Sequence, residues 1–151
     1  MTLIRVLHAK LHRLRVTGSD VDYVGSITID TDLIDQVGII PLQEVEIWNA
    51  SNGHRLSTYV LPGEAGSGTV CLNGAAAHLC KPGDFVIIAA YEVRDRQDVL
   101  LRGHQARVLV ADPCNRTERL FLQSLNPAPS GVAFRQEELT PPPLAAPPLA
   151  P

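Results

Sequence analysis

Across residues 3–122 the chain is a succession of short apolar stretches, each stopped by a turn signal before it can grow. Residues 3–8, 11–16, 27–29, 44–48, 54–61, 69–72, 85–93, 107–111 and 119–122 are rich in apolar and β-branched residues and read as strands. Asn52-Gly53 between two of them is a hairpin signal, because both residues tolerate the positive φ that a tight hairpin turn demands. Alternation puts Lys10 and His12 on one strand face and Leu7, Ala9 and Leu11 on the other. One short helix is expected over residues 32–37, capped by Asp30 or Thr31 and ended by Gly38. Capping and a solvated helix face account for Asp30, Asp32 and Asp35 better than a metal cluster does. Residues 18–23 read as a polar turn, and residues 94–105 as charged and irregular. Many short strands, little helix and frequent turn residues predict a mainly β fold with short helices, either a compact barrel or a sandwich.

Composition sets the limits. A chain of 151 residues with 45% hydrophobic content is long enough for one domain with a real core. Residues 1–125 are expected to form it. Residues 126–151 carry eight of the 12 prolines and are expected to pair with nothing, a Pro-rich disordered tail. The longest apolar run, residues 85–91, is too short to cross a bilayer, and a net charge of −3 offers no broad basic surface for nucleic acid. Neither a membrane nor a nucleic-acid partner is therefore expected. Arg5, Lys10, Arg13 and Arg15 precede any acid, but the stretch is poor in serine and alternates like a strand rather than a transit peptide. Cys71, Cys80 and Cys114 show no C-x-x-C spacing and suit free thiols in a reducing cytoplasm. His8, His54, His78 and His104 show no metal-ligand pattern, and no metal is expected.

The stretch that carries chemistry is Tyr23-Val24-Gly25-Ser26. A serine hydroxyl lies one short turn from the carbonyl of the residue before it, and glycine on the acyl side has no Cβ to obstruct attack. If the fold strains this peptide, Ser26 attacks the Gly25 carbonyl and turns the amide into an ester. Elimination then frees residues 1–25 and leaves dehydroalanine, whose hydrolysis yields an N-terminal pyruvoyl group on residues 26–151. Gly-Ser also occurs at Gly18-Ser19 and Gly66-Ser67, so the dipeptide alone decides nothing.

Its surroundings decide more. Lys10-Leu11-His12-Arg13, Tyr23-Val24-Gly25-Ser26-Ile27-Thr28-Ile29-Asp30, Trp48-Asn49, Asn52-Gly53, Arg55 with Thr58-Tyr59, Gly66-Ser67, Asn73-Gly74-Ala75-Ala76-Ala77 and Gly83-Asp84 follow one another in order. As an ordered set spanning residues 2–122 they resemble the pyruvoyl-dependent aspartate 1-decarboxylase family. That resemblance implies a six-stranded double-psi β-barrel, a homotetramer with active sites between subunits, and conversion of L-aspartate to β-alanine and CO₂ for pantothenate and coenzyme A biosynthesis. The substrate amine would form a Schiff base with the pyruvoyl derived from Ser26, which serves as electron sink without a metal. The sequence departs from the family at Ala65, where an arginine commonly precedes the second Gly-Ser, and at Leu14-Arg15.

The resemblance assigns roles residue by residue. Gly25 and Ser26 form the cleavage step. Arg55 suits a bidentate grip on a substrate carboxylate, and Tyr59 matches the proton donor. Thr58 would polarise the Gly25 carbonyl or stabilise the oxyanion. Gly74, Ala75 and Ala76 would contact substrate, and Asn73 would sit beside the processing peptide. Lys10 and His12 would bring positive charge, and Tyr23 and Trp48 would wall the pocket. Alternation puts Arg55 and Tyr59 on one face of their strand and Thr58 on the other, so a bulge, a twist or a site shared between subunits is required. Two other readings stand beside this one. The first is an unprocessed double-psi barrel with a binding or structural role. The second is a serine hydrolase using Ser26 and His12, which lacks the G-x-S-x-G elbow because Ile27 and Thr28 follow Ser26.

Overall fold

The structure, a computed structural model, describes residues 1–143. It is mainly β with short helices. In chain order the strands are β1 (Leu3–Arg15), β2 (Gly18–Asp20), β3 (Ser26–Asp30), β4 (Glu44–Asn49), β5 (Arg55–Gly63), β6 (Val70–Asn73), β7 (Phe85–Asp95), β8 (His104–Ala111), β9 (Thr117–Ala128) and β10 (Gly131–Leu139). Helix α1 is Thr31–Val37, helix α2 is Arg96–Arg102, and a 3₁₀ turn occupies Gly74–His78. The described strands number ten where six were expected. Six consecutive neighbours in the sheet, β1-β7-β4-β5-β3-β6, form a continuous run. This run curls back on itself, because the Thr17 amide at the end of β1 donates to the Val70 carbonyl at 2.8 Å. The other four extend its two edges: β8, β9 and β10 on one side, β2 on the other. Parallel pairing of β3 with β5 and of β1 with β8 is interleaved with antiparallel pairs, which fits a double-psi barrel.

Alternation fills the interior. Ala9, Leu11 and Leu14 of β1, Ile27 and Ile29 of β3, Ile47 of β4, Val60 of β5, Leu72 of β6 and Ile88 of β7 are all fully buried. Each large aliphatic side chain among them contributes about 1.5–3 kcal/mol by leaving water. The two stretches expected at residues 3–8 and 11–16 are one strand. It bends at Arg13, where φ is 63°, and its register with β7 shifts at Leu7/Ala9 and Leu11/Leu14. The hairpin at Asn52-Gly53 joins β4 to β5. The short strand β2 replaces the first half of the expected polar turn, since Gly18–Asp20 pairs in parallel with Cys71–Asn73.

Two expectations are corrected. Residues 94–105 are not irregular: β7 runs on to Asp95, whose side chain caps α2 by accepting from the Asp98 amide at 3.1 Å. Only Val99 of α2 is buried, so no apolar stripe marks it in the sequence. Arg94 and Arg102 both reach Asp98, at 2.5 and 3.1 Å, and hold the helix from its polar side. The second correction is the tail. Residues 126–139 are not disordered; they complete β9 and form β10, which pairs from Gly131↔Ala128 to Leu139↔Leu120. The prolines mislead because they are unevenly placed. Gly131–Leu139 contains none, and Pro127 lies in β9 beyond Leu125, where β8 no longer runs alongside. The expected disorder of residues 144–151 lies outside the described residues.

Helix α1 starts as expected, and its cap does more than cap. The buried Asp30 carboxylate accepts from the Asp32 amide at 2.8 Å, the Gly66 amide at 3.0 Å and the Gly68 amide at 2.8 Å. One side chain thus ends β3, begins α1 and pins the 63–69 loop. We expect Asp30→Ala to lower the unfolding free energy by about 2–4 kcal/mol, because a cap and two charge-assisted bonds go together. Urea denaturation checks this, and a loss under about 0.5 kcal/mol would show that the loop is held by other means.

Candidate functional site

Ser26 is the first residue of β3 and is fully buried, whereas Gly25 before it is exposed. The chain therefore dives from surface to interior across the one peptide bond singled out by the sequence. Antiparallel pairing of β3 with β6 seats Ser26 opposite Asn73 and Thr28 opposite Cys71. The Asn73 amide nitrogen donates to Ser26 Oγ at 2.9 Å and to Thr28 Oγ1 at 3.1 Å. The Ser26 hydroxyl donates to the Val24 carbonyl at 3.3 Å. Asn73 is 4% exposed and Ser26 fully buried, so the bond between them is shielded from water.

Gly74 closes the site from the other side. Its φ of 66° lies in the left-handed region, and a Cβ built on it would stand 2.7 Å from Gly25 Cα and 2.9 Å from Gly25 N. The two glycines meet backbone to backbone in front of Ser26, an approach that a side chain at position 74 would block. Ala75 is exposed and Ala76 buried in the 3₁₀ turn that follows. That turn ends at His78, and the Leu79 amide donates to the Ala76 carbonyl at 3.0 Å.

The β4–β5 hairpin carries the next group. Its ladder pairs Trp48 with Arg55, Ile47 with Leu56, Val45 with Thr58 and Glu44 with Tyr59, with no bulge. Strict alternation therefore holds. Thr58 lies on the face of Val45, Leu56 and Val60, and Arg55 and Tyr59 lie on the other. Carrying the β3–β5 register back two residues from Ile27↔Val60 sets Thr58 level with Gly25. Thr58 and Tyr59 line an open hollow of about 500 Å³ together with Leu42, Glu44 and Ser57.

Arg55 is exposed, and its guanidinium stacks on the Trp48 ring at 4.9 Å. No ion pair engages it among the described residues. The sheet register continues outward from Arg55 through Trp48 and Ile87, beside which His12 lies in the irregular part of β1. Lys10 sits two residues before His12 on the same face. Lys10, His12, Trp48 and Arg55 thus form one outward-facing row, separate from the buried Ser26. Burial first, then the neighbouring Lys10 and Arg13 charges, pull the His12 imidazole below its ordinary pKa, so the ring favours its neutral form. Its Nδ1 is buried and has no hydrogen-bond partner. No bond joins His12 to Ser26, whose hydroxyl is engaged by Asn73 and Val24, so the serine hydrolase reading lacks its nucleophile–base pair. Tyr23 is 53% exposed and touches the site through its backbone, where its carbonyl lies beside Gly74.

Two residues of this cluster escaped the sequence reading, Thr28 and Cys71. A period-2 count from Ser26 and from Asn73 would have put each on the right face, but nothing local says that the two strands pair. A cavity of about 810 Å³ lies at the opposite end of β3 among α1, the 66–68 loop and the β8–β9 turn. None of the expected site residues lines it. No group of His, Cys, Asp and Glu able to hold a metal occurs among the described residues.

The site of this small, mainly β chain is a buried serine behind an exposed glycine, clasped by an asparagine and a second glycine. The comparisons supply the family. The aspartate decarboxylase family model matches residues 2–118. "Aspartate 1-decarboxylase" of Gloeothece citriformis is 58% identical over 141 residues, covering 92% of this chain and 90% of that protein. The protein of the same name from Synechocystis is 57% identical over 134 residues, 89% of this chain and 92% of its own. That of Bacillus subtilis is 48% identical over 116 residues, 77% of this chain and 90% of its own. The chain belongs to the aspartate decarboxylase family, and it is an enzyme, a decarboxylase. The family match stops two residues into β9, so nearly all of the β9–β10 hairpin lies beyond it.

The Gly25–Gly74 contact makes a direct prediction. Gly74→Ala is expected to cost about 1–3 kcal/mol of stability, since the added methyl meets backbone and the φ is left-handed. Chemical denaturation measures it, and an unchanged midpoint would mean that the two backbones separate freely.

Proposed function

We propose that the chain severs itself between Gly25 and Ser26 and then converts L-aspartate to β-alanine and CO₂, supplying pantothenate and coenzyme A synthesis. The observation that carries this reading is the buried Ser26 hydroxyl held by Asn73 beside an exposed glycine that Gly74 alone can approach. In the first step Oγ bonds to the Gly25 carbonyl carbon, the C–N bond breaks and the hydroxyl proton ends on the freed nitrogen. Loss of the Ser26 Cα proton and scission of the Cβ–O bond then release residues 1–25 as a carboxylic acid. Uptake of one water and loss of ammonia convert the remaining dehydroalanine into a ketone. The pocket suits such a group, because Ser26 is enclosed and the glycine pair leaves no side chain over it. A pyruvoyl there supplies the electron sink for loss of the α-carboxylate.

This chain's own residues do the rest. Thr58, level with Gly25, polarises the carbonyl under attack. Arg55 grips a substrate carboxylate through its planar fork, the backbone of Gly74, Ala75 and Ala76 lies against the substrate, and the Tyr59 phenol protonates Cα. Lys10 and His12 with Arg55 offer cationic and hydrogen-bonding groups to a dianionic substrate, while Trp48 and Tyr23 form walls. The row Lys10–His12–Trp48–Arg55 faces outward, away from the buried step. A homotetramer with active sites between subunits reconciles the two, one copy's row completing another's Ser26 site. The free thiols of Cys71, Cys80 and Cys114 suit a cytoplasmic enzyme.

Intact mass spectrometry tests the first step. The purified protein should appear as residues 1–25 and 26–151, the latter with an N-terminal pyruvoyl, and Ser26→Ala should give one intact chain that releases no CO₂. An active decarboxylase with a continuous backbone would overturn the proposal. For the second step, Tyr59→Phe should cleave normally yet lower kcat by roughly 10²–10⁴-fold, the worth of a positioned acid. Steady-state CO₂ release reads this, and a kcat near wild type would move the proton donor elsewhere.

A further inference from the structure

We propose that Cys71 and Thr28 are positioning residues for the cleavage step, locking the Asn73 carboxamide so that its nitrogen, not its oxygen, faces Ser26 Oγ. This rests on the reading above that the Gly25–Ser26 bond is severed. The four side chains form a block two residues deep on β3 and β6, Ser26 opposite Asn73 and Thr28 opposite Cys71. The Cys71 thiol donates to Asn73 Oδ1 at 3.5 Å. The Asn73 nitrogen spends its two hydrogens on Ser26 Oγ, at 2.9 Å, and Thr28 Oγ1, at 3.1 Å. Every polar atom of the carboxamide therefore has a partner of the right sense.

Rotating that amide by half a turn reverses the arrangement. Its carbonyl would then face both hydroxyls, and its nitrogen would face a sulfur that accepts hydrogen bonds weakly. Ser26 is fully buried and Asn73 4% exposed, while Thr28 and Cys71 are half-buried, so water reaches the carboxamide poorly and compensates little for a reversed amide. Cys71 is also held in place. Gly18 of β2 pairs with it, and a Cβ built on Gly18 would touch Sγ at 3.4 Å. Burial, and then the Asp20 carboxylate, push the Cys71 thiol up, so the sulfur keeps the hydrogen it donates.

The orientation matters because negative charge develops on Oγ as it leaves its proton and attacks. An N–H aimed at Oγ stabilises that charge, and a carbonyl oxygen in the same place opposes it. The side-chain hydrogen bonds of Thr28 and Cys71 go to Asn73, and they act through it. A polar pair on the barrel's own ladder thus governs how fast the enzyme matures.

The test follows conversion of freshly purified full-length chain into residues 1–25 and 26–151 by intact mass spectrometry. Wild type is compared with Cys71→Ala, Cys71→Ser, Thr28→Val and Thr28→Ser. Cys71→Ala and Thr28→Val should each slow cleavage by about tenfold, the worth of one buried hydrogen bond. Cys71→Ser and Thr28→Ser keep the donor or acceptor and should cleave near the wild-type rate. Thermal midpoints of the serine and non-polar variants are measured together, since a purely structural role would move stability rather than follow the hydrogen-bonding group. Should Cys71→Ala fail to fold, Thr28→Val against Thr28→Ser carries the comparison. Equal rates for wild type and the non-polar variants, or serine variants as slow as the non-polar ones, would overturn the proposal while leaving self-cleavage intact. A wild-type chain that never divides would remove the cleavage reading and this proposal with it.

Discussion

The pairing of β3 with β6 is the constraint on which the rest depends. Two short strands, drawn from parts of the chain some 45 residues apart, run antiparallel so that Ser26 faces Asn73. The same register brings Gly74 against Gly25, with less than 3 Å between a hypothetical Cβ and backbone atoms. A shift of one residue would turn Ser26 onto the core face and put a core aliphatic against Asn73. The hydrophobic neighbours prevent that shift, because Ile27, Ile29, Val70 and Leu72 are all fully buried in the present register. Packing energy spent on four aliphatic side chains thus fixes the geometry of one polar contact.

Buried polar groups then tie the loops to this frame. Asp30 pins residues 66 and 68 at the far end of β3. Asn115, in the left-handed region at φ 57°, exchanges two hydrogen bonds with the Arg15 backbone and donates to the Gly68 carbonyl. Asn49 donates to the Leu79 carbonyl and to Asp84, and accepts from the Ser51 amide. Asp30, Asn115 and Asn49 are each satisfied, and each joins segments far apart in sequence, so these loops are held by direction-specific bonds rather than by apolar contact.

Much of this was legible beforehand. The Asn52-Gly53 turn, the Asp30 cap, the Gly38 terminator and most strands follow from local rules, because turns, caps and alternation depend on neighbours within four residues. The conflict between Arg55 and Thr58 was also visible, and the unbulged β4–β5 ladder keeps it, with Arg55 outward beside Trp48. What escaped has a physical cause in each case. Helix α2 is bound by Arg94, Asp98 and Arg102 instead of an apolar stripe, and β10 sits in a proline-rich region although its own nine residues hold no proline.

By itself, the order of residues determined which local pieces form and which groups are available for chemistry: a glycine-serine step, an asparagine-glycine turn, an arginine and a tyrosine on one strand face. Only the tertiary structure decided who meets whom. It set Thr28 and Cys71 around the Asn73 amide and turned the Lys10–His12–Trp48–Arg55 row away from Ser26. Strand alternation specifies a side chain's face within its own strand. The partner across the ladder is chosen by burial of the whole core, which no local stretch encodes.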